Sequence, residues 1–273
     1  MDHARARHRR GGMKVEPADW AAERMRAPRD DALALSVVVP VRNEAPNIAS
    51  LVEEIVAALD GRLAFEVVYV DDGSDDGTAD ELARAGAHEP RLRVVRHAEP
   101  GGQSAALRSG ILAARAPLIA TLDGDGQNDP AELPRLLDTF AQSEAAPPLG
   151  LVGGDRSKSR RDRWLKRQSS RIANAVRGRV LGDGTLDTGC GLKVMRRDAY
   201  LLLPYFDHQH RFLAALFLRE GFAVRSVPVG HRPRTKGRSK YGTFDRLAVG
   251  VVDLLGVAWL RRRRRPVIAI EDS

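Results

Sequence analysis

The chain has 273 residues, of which 43% are hydrophobic, with a formal net charge of +8 and a single cysteine, Cys190. This length is sufficient for one large domain or two small ones. One cysteine excludes an internal disulfide and is typical of a reducing compartment. Only 5% of residues are aromatic and no aromatic-rich stacking motif is visible, so nucleic acid is not an expected partner. The basic start MDHARARHRRGG is followed by no apolar stretch and does not predict a secretory signal.

The charge is distributed unevenly along the chain. Residues 1–32 are rich in Arg, Ala and Pro without a steady period, which predicts a basic, mobile tail. Residues 33–154 contain nine Lys/Arg against 19 Asp/Glu, whereas residues 155–260 have a large excess of Lys/Arg. An acidic half is suited to a bound cation, and a basic half to phosphate or an anionic membrane surface.

Predicted strands and helices alternate four times in the first half. The strands are short, β-branched apolar runs at 33–41, 65–73, 91–97 and 117–123. The first two predicted helices are PNIASLVEEIVAALDG and DDGTADELARAGA, and the third is residues 101–114, which begins with a glycine-rich turn. The fourth is AELPRLLDTFAQ, which follows Asp129 and Pro130 as the predicted N-cap and first-turn residues. This alternation predicts an α/β fold with a mostly parallel sheet, in which ligands bind beyond the carboxyl ends of the strands.

The second half is less regular. Predicted strands at 150–156, 187–198 and 222–229 accompany a basic helix at 164–182 and an apolar helix at 212–221, and DTGCG is expected to form the turn that begins the second of these strands. The segment HRPRTKGRSKYG (231–242) has no period and predicts a mobile loop.

An apolar helix is predicted at 247–260, where Asp253 is the one charged residue and five arginines follow. Fourteen residues are too few to span a bilayer, which needs about 20. The pattern predicts a C-terminal amphipathic helix that makes peripheral membrane contact through 247–265, with Trp259 among the headgroups and the arginines on anionic lipid. A core or oligomer helix followed by a solvated tail is the alternative.

The segment TLDGDGQNDP (121–130) places Asp123, Asp125 and Gln127 at alternating positions after a predicted buried strand. In extended backbone these side chains share one side. Hard oxygen ligands of this kind suit Mg²⁺ or Mn²⁺, which often bind together with substrate phosphates. An EF-hand loop is excluded because its sixth and twelfth positions are asparagine and proline here. A polar turn is the alternative interpretation.

Four motifs occur in order at predicted strand or helix ends: VVVPVRNE, VDDGSDDGT, GGQSAALRSG and DGDGQNDP. This order resembles glycosyltransferase family 2, the nucleotide-sugar transferases of the Rossmann-like GT-A fold. The later stretches GDRSKSRR, DTGCGLKVMRR and HRPRTKGRSKYG resemble its dolichol-phosphate mannose synthase and polyprenyl-phosphate glycosyltransferase branch. The resemblance extends over residues 35–242 and implies a mostly parallel sheet flanked by helices.

The resemblance also implies a donor site at the strand ends. Asp123 and Asp125 would be the catalytic acidic pair and, with Gln127, would hold Mg²⁺ or Mn²⁺, which neutralises the diphosphate and stabilises the leaving nucleotide. The nucleotide-sugar-binding residues would be Pro40, Val41, Glu44, Asp71, Asp72, Gly102, Gln103 and Asp123.

The acceptor implied by the resemblance is a polyprenyl phosphate, itself an anionic nucleophile because the second pKa of a phosphate monoester lies near 6. Such a reaction needs cations that position the acceptor more than it needs a general base. The residues that the resemblance places around the phosphates are Arg156, Arg171, Arg234, Ser239 and Lys240. For each of them a solvated or structural role is the alternative.

The chain departs from the family pattern at three points. A tyrosine or similar residue is usual where this chain has Val41 and Arg42, and alanine is frequent at the position of Gly124. Neither departure removes a metal ligand. Many relatives carry transmembrane helices after the catalytic domain, where this chain has a short apolar helix and RRRRR.

These patterns predict a metal-dependent, inverting glycosyltransferase that moves a hexose-type sugar from a GDP- or UDP-sugar to a polyprenyl or dolichyl phosphate. Its parts would be a basic tail (1–32), a GT-A domain (33–242) and an apolar helix with a polybasic tail (243–273). It would be cytoplasmic and peripheral on the inner face of the cell membrane. Three alternatives stay open: the same fold with a soluble or protein-linked acceptor, a non-catalytic nucleotide-sugar-binding protein, and a basic scaffold for nucleic acid or lipid.

Overall fold

A computed structural model describes most of the central part of the chain. The described residues are 30, 32–144, 146–157, 177, 178, 180–182, 184, 187–230, 232, 233 and 243–265, the last range without the side chains of 243–249. Nearly all of the predicted tail 1–32, most of the predicted helix 164–182 and most of the predicted loop 231–242 lie outside these residues.

The strands form one mixed sheet in the order β3-β2-β1-β4-β6-β5-β7. They are β1 (Leu35–Val41), β2 (Phe65–Asp71), β3 (Leu92–Arg96), β4 (Leu118–Thr121), β5 (Leu149–Asp155), β6 (Lys193–Arg196) and β7 (Ala223–Pro228). Among these strands β6 alone runs in the opposite direction, antiparallel to both β4 and β5. The start of β6 therefore lies at the same sheet edge as the carboxyl ends of its neighbours.

Helices cover both faces of the sheet. They are α1 (Ile48–Leu59), α2 (Thr78–His88), α3 (Gln103–Ala113), α4 (Leu133–Ala141), α5 (Arg197–Leu201), α6 (Leu213–Arg219) and α7 (Thr243–Arg262). Short 3₁₀ turns precede α1, α4 and α6. Asp129 begins the turn before α4 as the sequence predicts, because its side chain accepts a hydrogen bond from the Ala131 N–H.

The predicted α/β class, the mostly parallel sheet and the C-terminal helix are confirmed. Most predicted ends of strands and helices differ by one to three residues from the ends in the structure. The prediction of a strand up to residue 198 is wrong at its end, because β6 stops at Arg196 and α5 begins at Arg197. The buried Arg197 guanidinium donates to the carbonyls of Ile111 and Leu112, which ties this turn to the end of α3.

Two hydrophobic layers sandwich the sheet, because alternate residues of a strand face opposite sides. Val37 and Val39 of β1 pack in the layer under α1, α2 and α4, whereas Val38 packs in the layer under α3 and α6. A Cβ at Gly110 of α3 would lie 2.3 Å from Val38 Cγ1, so this glycine lets α3 lie directly on the sheet. Truncating a fully buried residue such as Ile55 to alanine would cost about 2–5 kcal/mol.

The C-terminal helix α7 packs beside α6 and is two-sided. Val257 is buried against the α3/α6 layer, and the Arg219 Nε donates to the Leu260 carbonyl at 3.1 Å. The opposite side leaves large apolar side chains in solvent: Val251, Val252, Leu255 and Trp259. Within the described ranges, no helix combines the length and apolar character needed to cross a membrane.

Candidate active site

The turn that carries the two carboxylates is folded by its own polar groups. The Asp123 N–H donates to Asn128 Oδ1 at 2.9 Å, and the Gln127 N–H donates to Asp125 Oδ1 at 3.1 Å. Asn128 is buried and comes directly after Gln127, the last of the three predicted metal ligands. The turn thus holds Asp123 and Asp125 in a fixed arrangement directly after β4.

Asp123 is partly buried at the end of β4. Burial, and then the negative charge of Asp125, raise the pKa of the Asp123 carboxyl, while Lys193 and Arg156 oppose the rise. Gln103 at the start of α3 donates from Nε2 to Asp123 Oδ1 at 2.9 Å. The sequence-predicted residues Gln103 and Asp123 are therefore brought together.

This set of donor atoms fits a magnesium-type cation. Mg²⁺ and Mn²⁺ usually take one or two protein carboxylates and complete their coordination with water and substrate phosphates. Across the part of the chain that the structure describes, no group of three or more His, Cys, Asp or Glu residues could hold a metal by itself. Two repelling carboxylates at a sheet edge fit a cation that arrives with a diphosphate. Gln127 lies in the same turn and stays a predicted third ligand.

Two glycines shape the space around the acidic turn. A Cβ at Gly191 would lie 2.2 Å from Asp123 Oδ2, so the carboxylate lies directly over this residue. A Cβ at Gly124 would lie 2.3 Å from Val41 Cγ1 and 3.1 Å from the Pro40 carbonyl oxygen. Val41 and Gly124, both departures from the family pattern, are thus in direct contact.

The loops after β1 and β2 are joined to each other on the predicted nucleotide side. Asn43 has a φ of 55° and donates from its N–H to Ser74 Oγ at 2.9 Å. The Glu44 N–H donates to Thr78 Oγ1 at 3.0 Å, and Glu44 Oε2 accepts from Asn47. Pro40 and Val41 lie beside the end of β2, where Val41 pairs with Asp71, and Glu44 lies in the loop that follows β1.

The two aspartates at the end of β2 have different surroundings. Asp72 accepts hydrogen bonds from the N–H groups of Gly101 (2.7 Å) and Gly102 (2.8 Å), and it contacts His97 Nδ1 at 2.7 Å. Asp71 accepts from the Ser74 N–H at 3.0 Å. Asp72 thus holds the glycine turn that begins α3, which positions Gln103 toward Asp123.

A buried ion pair lies on the other side of Asp123. Arg156, which follows β5, donates from Nε to Asp187 Oδ2 at 2.8 Å, and both side chains are less than one-tenth exposed. The sequence assigned DTGCG to a turn and did not predict that Asp187 would pair with Arg156. Hydrogen bonding to Asp187 raises the pKa of Arg156 against the effect of burial. The guanidinium therefore remains charged within reach of the acidic turn.

Sequence reasoning missed Lys193, the first residue of β6. It pairs with Thr121 of β4 and Gly153 of β5, and its ammonium group donates to the Cys190 carbonyl. Burial lowers the pKa of Lys193, while the negative charges of Asp123 and Asp187 oppose the decrease. The available signal was a lysine at the start of a strand, but only the antiparallel placement of β6 brings it to the site.

The start of α3 is also joined to the segment before α6. Ser104 Oγ and His210 Nδ1 are hydrogen-bonded at 2.7 Å. Burial, and then the positive charges of Lys193 and Arg211, lower the pKa of His210 to about 3. His210 is therefore neutral near pH 7.

The chain leaving β7 is fixed to the acidic turn. The Arg232 N–H donates to the Gln127 carbonyl at 3.2 Å, and its Nη2 contacts Asp129 Oδ1 at 2.7 Å. A second guanidinium nitrogen contacts Glu54 of α1.

Of the predicted acceptor residues, Arg171, Arg234, Ser239 and Lys240 lie outside the described residues.

The fold is shared with synthases of known structure. Mannosyl-3-phosphoglycerate synthase from Rubrobacter xylanophilus superposes with a TM-score of 0.66 at 18% identity, covering 92% of this chain and 87% of its own. Glucosyl-3-phosphoglycerate synthase from Mycobacterium tuberculosis, in complex with Mn²⁺, UDP and glucosyl-3-phosphoglycerate, gives 0.62 at 19% identity, covering 92% and 85%. These likenesses confirm the predicted GT-A class of fold.

The chain belongs to glycosyltransferase family 2, whose model, "Glycosyl transferase family 2", matches residues 36–202. Dodecaprenyl-phosphate galacturonate synthase from Rhizobium johnstonii is 35% identical over 240 residues, 86% of this chain and 70% of the relative. Undecaprenyl-phosphate 4-deoxy-4-formamido-L-arabinose transferase from Edwardsiella ictaluri is 36% identical over 213 residues, 76% of this chain. The chain spans 63% of the length of this second relative. By name, both relatives belong to the polyprenyl-phosphate branch that the motifs predict.

Proposed function

We propose that the chain transfers a hexose-type sugar from a GDP- or UDP-sugar to a polyprenyl phosphate. The observation that carries the proposal is that β4, β5 and β6 bring the acidic turn with Asp123 and Asp125 to the same end of the sheet as the basic residues Arg156 and Lys193. The acidic residues suit a cation that binds with the donor diphosphate, and the basic residues suit an anionic acceptor. The relatives' names support the same acceptor class.

On the donor side, Asp123 and Asp125, with Gln127, would hold Mg²⁺ or Mn²⁺. When bound, such a cation supplies Lewis-acid stabilisation of the leaving diphosphate. Pro40, Val41, Glu44 and Asp71 would border the nucleoside. Gly102 and Gln103 would lie near the diphosphate, and Asp72 would act through the turn that it holds. The Mn²⁺ and UDP bound to the Mycobacterium tuberculosis synthase support this arrangement.

On the acceptor side, a phosphate oxygen would attack the anomeric carbon as the bond to the nucleoside diphosphate breaks on the opposite face. This single displacement inverts the anomeric configuration. The phosphate nucleophile is already ionised near pH 7, so the protein's task is to align it and to exclude water. Arg156, Arg171, Arg234, Ser239 and Lys240 would surround the two phosphates.

The enzyme would work as a peripheral protein on the inner face of the cell membrane. Val252, Leu255 and Trp259 of α7 are exposed, and arginines follow them in sequence. An amphipathic helix with cationic residues at its end is suited to an anionic bilayer surface. This placement would bring the protein to a lipid-borne acceptor.

A second candidate is transfer to a soluble phosphorylated acceptor. Both solved structures named above are synthases of sugar-3-phosphoglycerates, and a cationic acceptor site suits any phosphate monoester. The exposed apolar face of α7 favours the lipid.

The test is a panel of GDP- and UDP-sugars with Mg²⁺ or Mn²⁺, incubated with a short polyprenyl phosphate or with 3-phosphoglycerate. We expect glycolipid from one donor, and no glycolipid from Asp125→Asn. Product on 3-phosphoglycerate alone would favour the second candidate. Donor binding without turnover would indicate a non-catalytic protein, and absence of donor binding would overturn the proposal.

A further inference from the structure

The glycine turn that begins α3, residues 101–102, is held by a carboxylate from another loop. Gly102 is the N-cap residue of α3 and, having no side chain, cannot cap the helix itself. Asp72 takes over this task, because its Oδ1 accepts from the Gly101 N–H and its Oδ2 from the Gly102 N–H. Asp72 is buried, so both bonds form away from bulk water. The position of the glycine turn therefore depends on how Asp72 is oriented.

His97 orients Asp72. It comes directly after β3, and its N–H donates to the Asp71 carbonyl at 2.9 Å, which extends the pairing of β3 with β2. His97 Nδ1 lies 2.7 Å from Asp72 Oδ1. Both oxygens of Asp72 already accept backbone N–H groups, so Nδ1 is the donor in this bond. The imidazole thus supplies the one bond to Asp72 that comes from a side chain among those described here.

The second ring nitrogen joins His97 to the body of α3. Its Nε2 lies 2.8 Å from Ser109 Oγ, and in the neutral ring with the proton on Nδ1 it accepts from that hydroxyl. Ser109 lies almost two turns further along α3 than Gln103, the first residue of the helix. The ring therefore connects the carboxylate that holds the turn with the helix that the turn begins.

The order Ser109–His97–Asp72 is also that of a nucleophilic triad, but the surroundings do not suit nucleophilic catalysis. Ser109 lies inside α3, where the neighbouring backbone N–H groups bond within the helix and cannot form an oxyanion hole. Asp72 also holds the glycine turn, which a triad does not require. The arrangement therefore suits positioning better than nucleophilic attack.

The side chain that the glycine turn positions is Gln103. It is exposed, so packing does not fix it, and the start of α3 determines where it reaches. Its Nε2 donates to Asp123 Oδ1 at 2.9 Å. Asp123 is a proposed ligand of the donor cation. Side chains that orient a metal ligand typically contribute about 10–100-fold to metal affinity or activity.

We propose that His97 is a positioning residue for the donor cation. It orients Asp72, Asp72 holds the glycine turn, and the turn sets Gln103 against Asp123. The inference rests on the proposed function and deepens it, because it gives a part in donor binding to a residue outside the acidic turn and the loops that border the nucleoside. His97 acts through the turn and not by contact with the substrate.

Two amide variants separate the two bonds of the His97 ring. His97→Asn keeps an N–H donor near the position of Nδ1, whereas His97→Gln carries its amide near the position of Nε2 and loses the bond to Asp72. We expect amide hydrogen exchange at Gly101 and Gly102 of the ligand-free chain to be at least about tenfold faster in His97→Gln and nearly unchanged in His97→Asn. The exposed His88→Gln on α2 is the control. This readout needs neither metal nor donor.

The second readout is the gain in affinity for UDP or GDP that Mn²⁺ provides, measured by calorimetry with and without the metal. His97→Gln should lower this gain by at least about threefold, while the affinity without metal changes by less than about twofold. His97→Asn should keep the gain. A role in folding alone would lower Tm and leave the gain unchanged.

A double-mutant cycle with Gln103→Ala tests the route. Gln103→Ala should lower the Mn²⁺-linked gain by a similar factor, and adding His97→Gln to it should lower the gain no further. If His97→Gln does not fold, Ser109→Ala replaces it in the exchange measurement and in the cycle. This variant releases Nε2 and places alanine, a good helix former, within α3.

Three outcomes would overturn the inference. They are unchanged exchange at the glycine turn in His97→Gln, equal effects of His97→Asn and His97→Gln, and losses of the Mn²⁺-linked gain that add in the cycle. If exchange at the turn behaves as expected but the unaltered chain shows no Mn²⁺-linked gain, the result would instead count against the proposed function.

Discussion

The carboxylate of Asp123 occupies the space that a side chain at residue 191 would need. A Cβ on Gly191 would lie 2.2 Å from Asp123 Oδ2 and 2.3 Å from its Cγ. Atoms cannot approach so closely, so even a methyl group there must displace the carboxylate or the backbone just before β6. The glycine thus acts on the acidic turn from a segment that is distant in sequence, just before β6.

Gly191→Ala is therefore expected to lower glycosyl transfer by about 100-fold, because displacing a proposed ligand of the donor cation by even 1 Å would remove the aligned geometry. The measurement is kcat/KM together with Tm. Gly86→Ala in α2 is the matched control, since its Cβ would lie an ordinary 3.9 Å from Leu92 Cδ2. Full activity in Gly191→Ala would show that the carboxylate position is unimportant.

Asp125→Asn is expected to abolish the dependence of donor binding on metal. In the unaltered chain, Mn²⁺ should strengthen binding of UDP or GDP about tenfold or more, because a cation held by the proposed carboxylate ligands would offset the charge of the diphosphate. Calorimetry with and without Mn²⁺ gives the difference. Asp138→Asn, an exposed carboxylate change on α4, serves as control and should keep the full metal effect.

His210 predicts an acid-sensitive component of stability. Its pKa is about 3 in the folded chain, against an ordinary value of 6.5. Between these pH values the unfolded state binds a proton that the folded state does not bind. The free energy of unfolding therefore falls as the pH decreases, and the contribution of His210 to stability is fully present above pH 6.5. The loss at pH 5 is about 2 kcal/mol.

His210→Gln should flatten this pH dependence, measured by urea unfolding between pH 7.5 and pH 4.5. The exposed His88→Gln at the end of α2 should leave the slope unchanged. Equal slopes in His210→Gln and the unaltered chain would contradict the assignment.

The buried pair Arg156–Asp187 should be strongly coupled. Asp187→Ala removes the carboxylate that pairs with a buried cation and is expected to cost about 3–5 kcal/mol of unfolding free energy. In a double-mutant cycle with Arg156→Met, the combined loss should be smaller than the sum of the single losses by about 1–3 kcal/mol. For the exposed pair Arg84–Glu81, the same cycle should give less than about 1 kcal/mol.

The exposed face of α7 should bind anionic vesicles. Val252→Ser with Leu255→Ser is expected to weaken cosedimentation with vesicles containing about 30% phosphatidylglycerol by about tenfold, because apolar area no longer enters the interface. Val94→Ser, an exposed apolar change on β3, is the control. If both proteins sediment alike, α7 is not the membrane contact.

The first half of the fold is predictable because each strand is a buried apolar run, and each is followed by a helix whose ends are marked by turn or capping residues. Strand ends carry Asp71 and Asp123 to one edge by topology alone, and the structure places them there. The antiparallel insertion of β6 between β4 and β5 has no local signature. Lys193 and Gly191 reach the site only through that insertion, so their contacts with the acidic turn were not predictable.

Residue type predicts the chemistry of a side chain better than it predicts which residue that side chain contacts. Arg156 was predicted to meet phosphate, but the Asp187 that orients it was assigned to a turn. Asp72 was predicted to meet the nucleotide, and its carboxylate is engaged by the turn before α3. Such pairings depend on how distant loops meet, which local sequence does not encode.

The contact between Gly124 and Val41 has an evolutionary consequence. A methyl group at 124 would lie 2.3 Å from Val41 Cγ1, so alanine there is tolerated only after residue 41 has changed its shape or position. Residue 41 must therefore change before residue 124, and the effects of the two substitutions on stability are not additive.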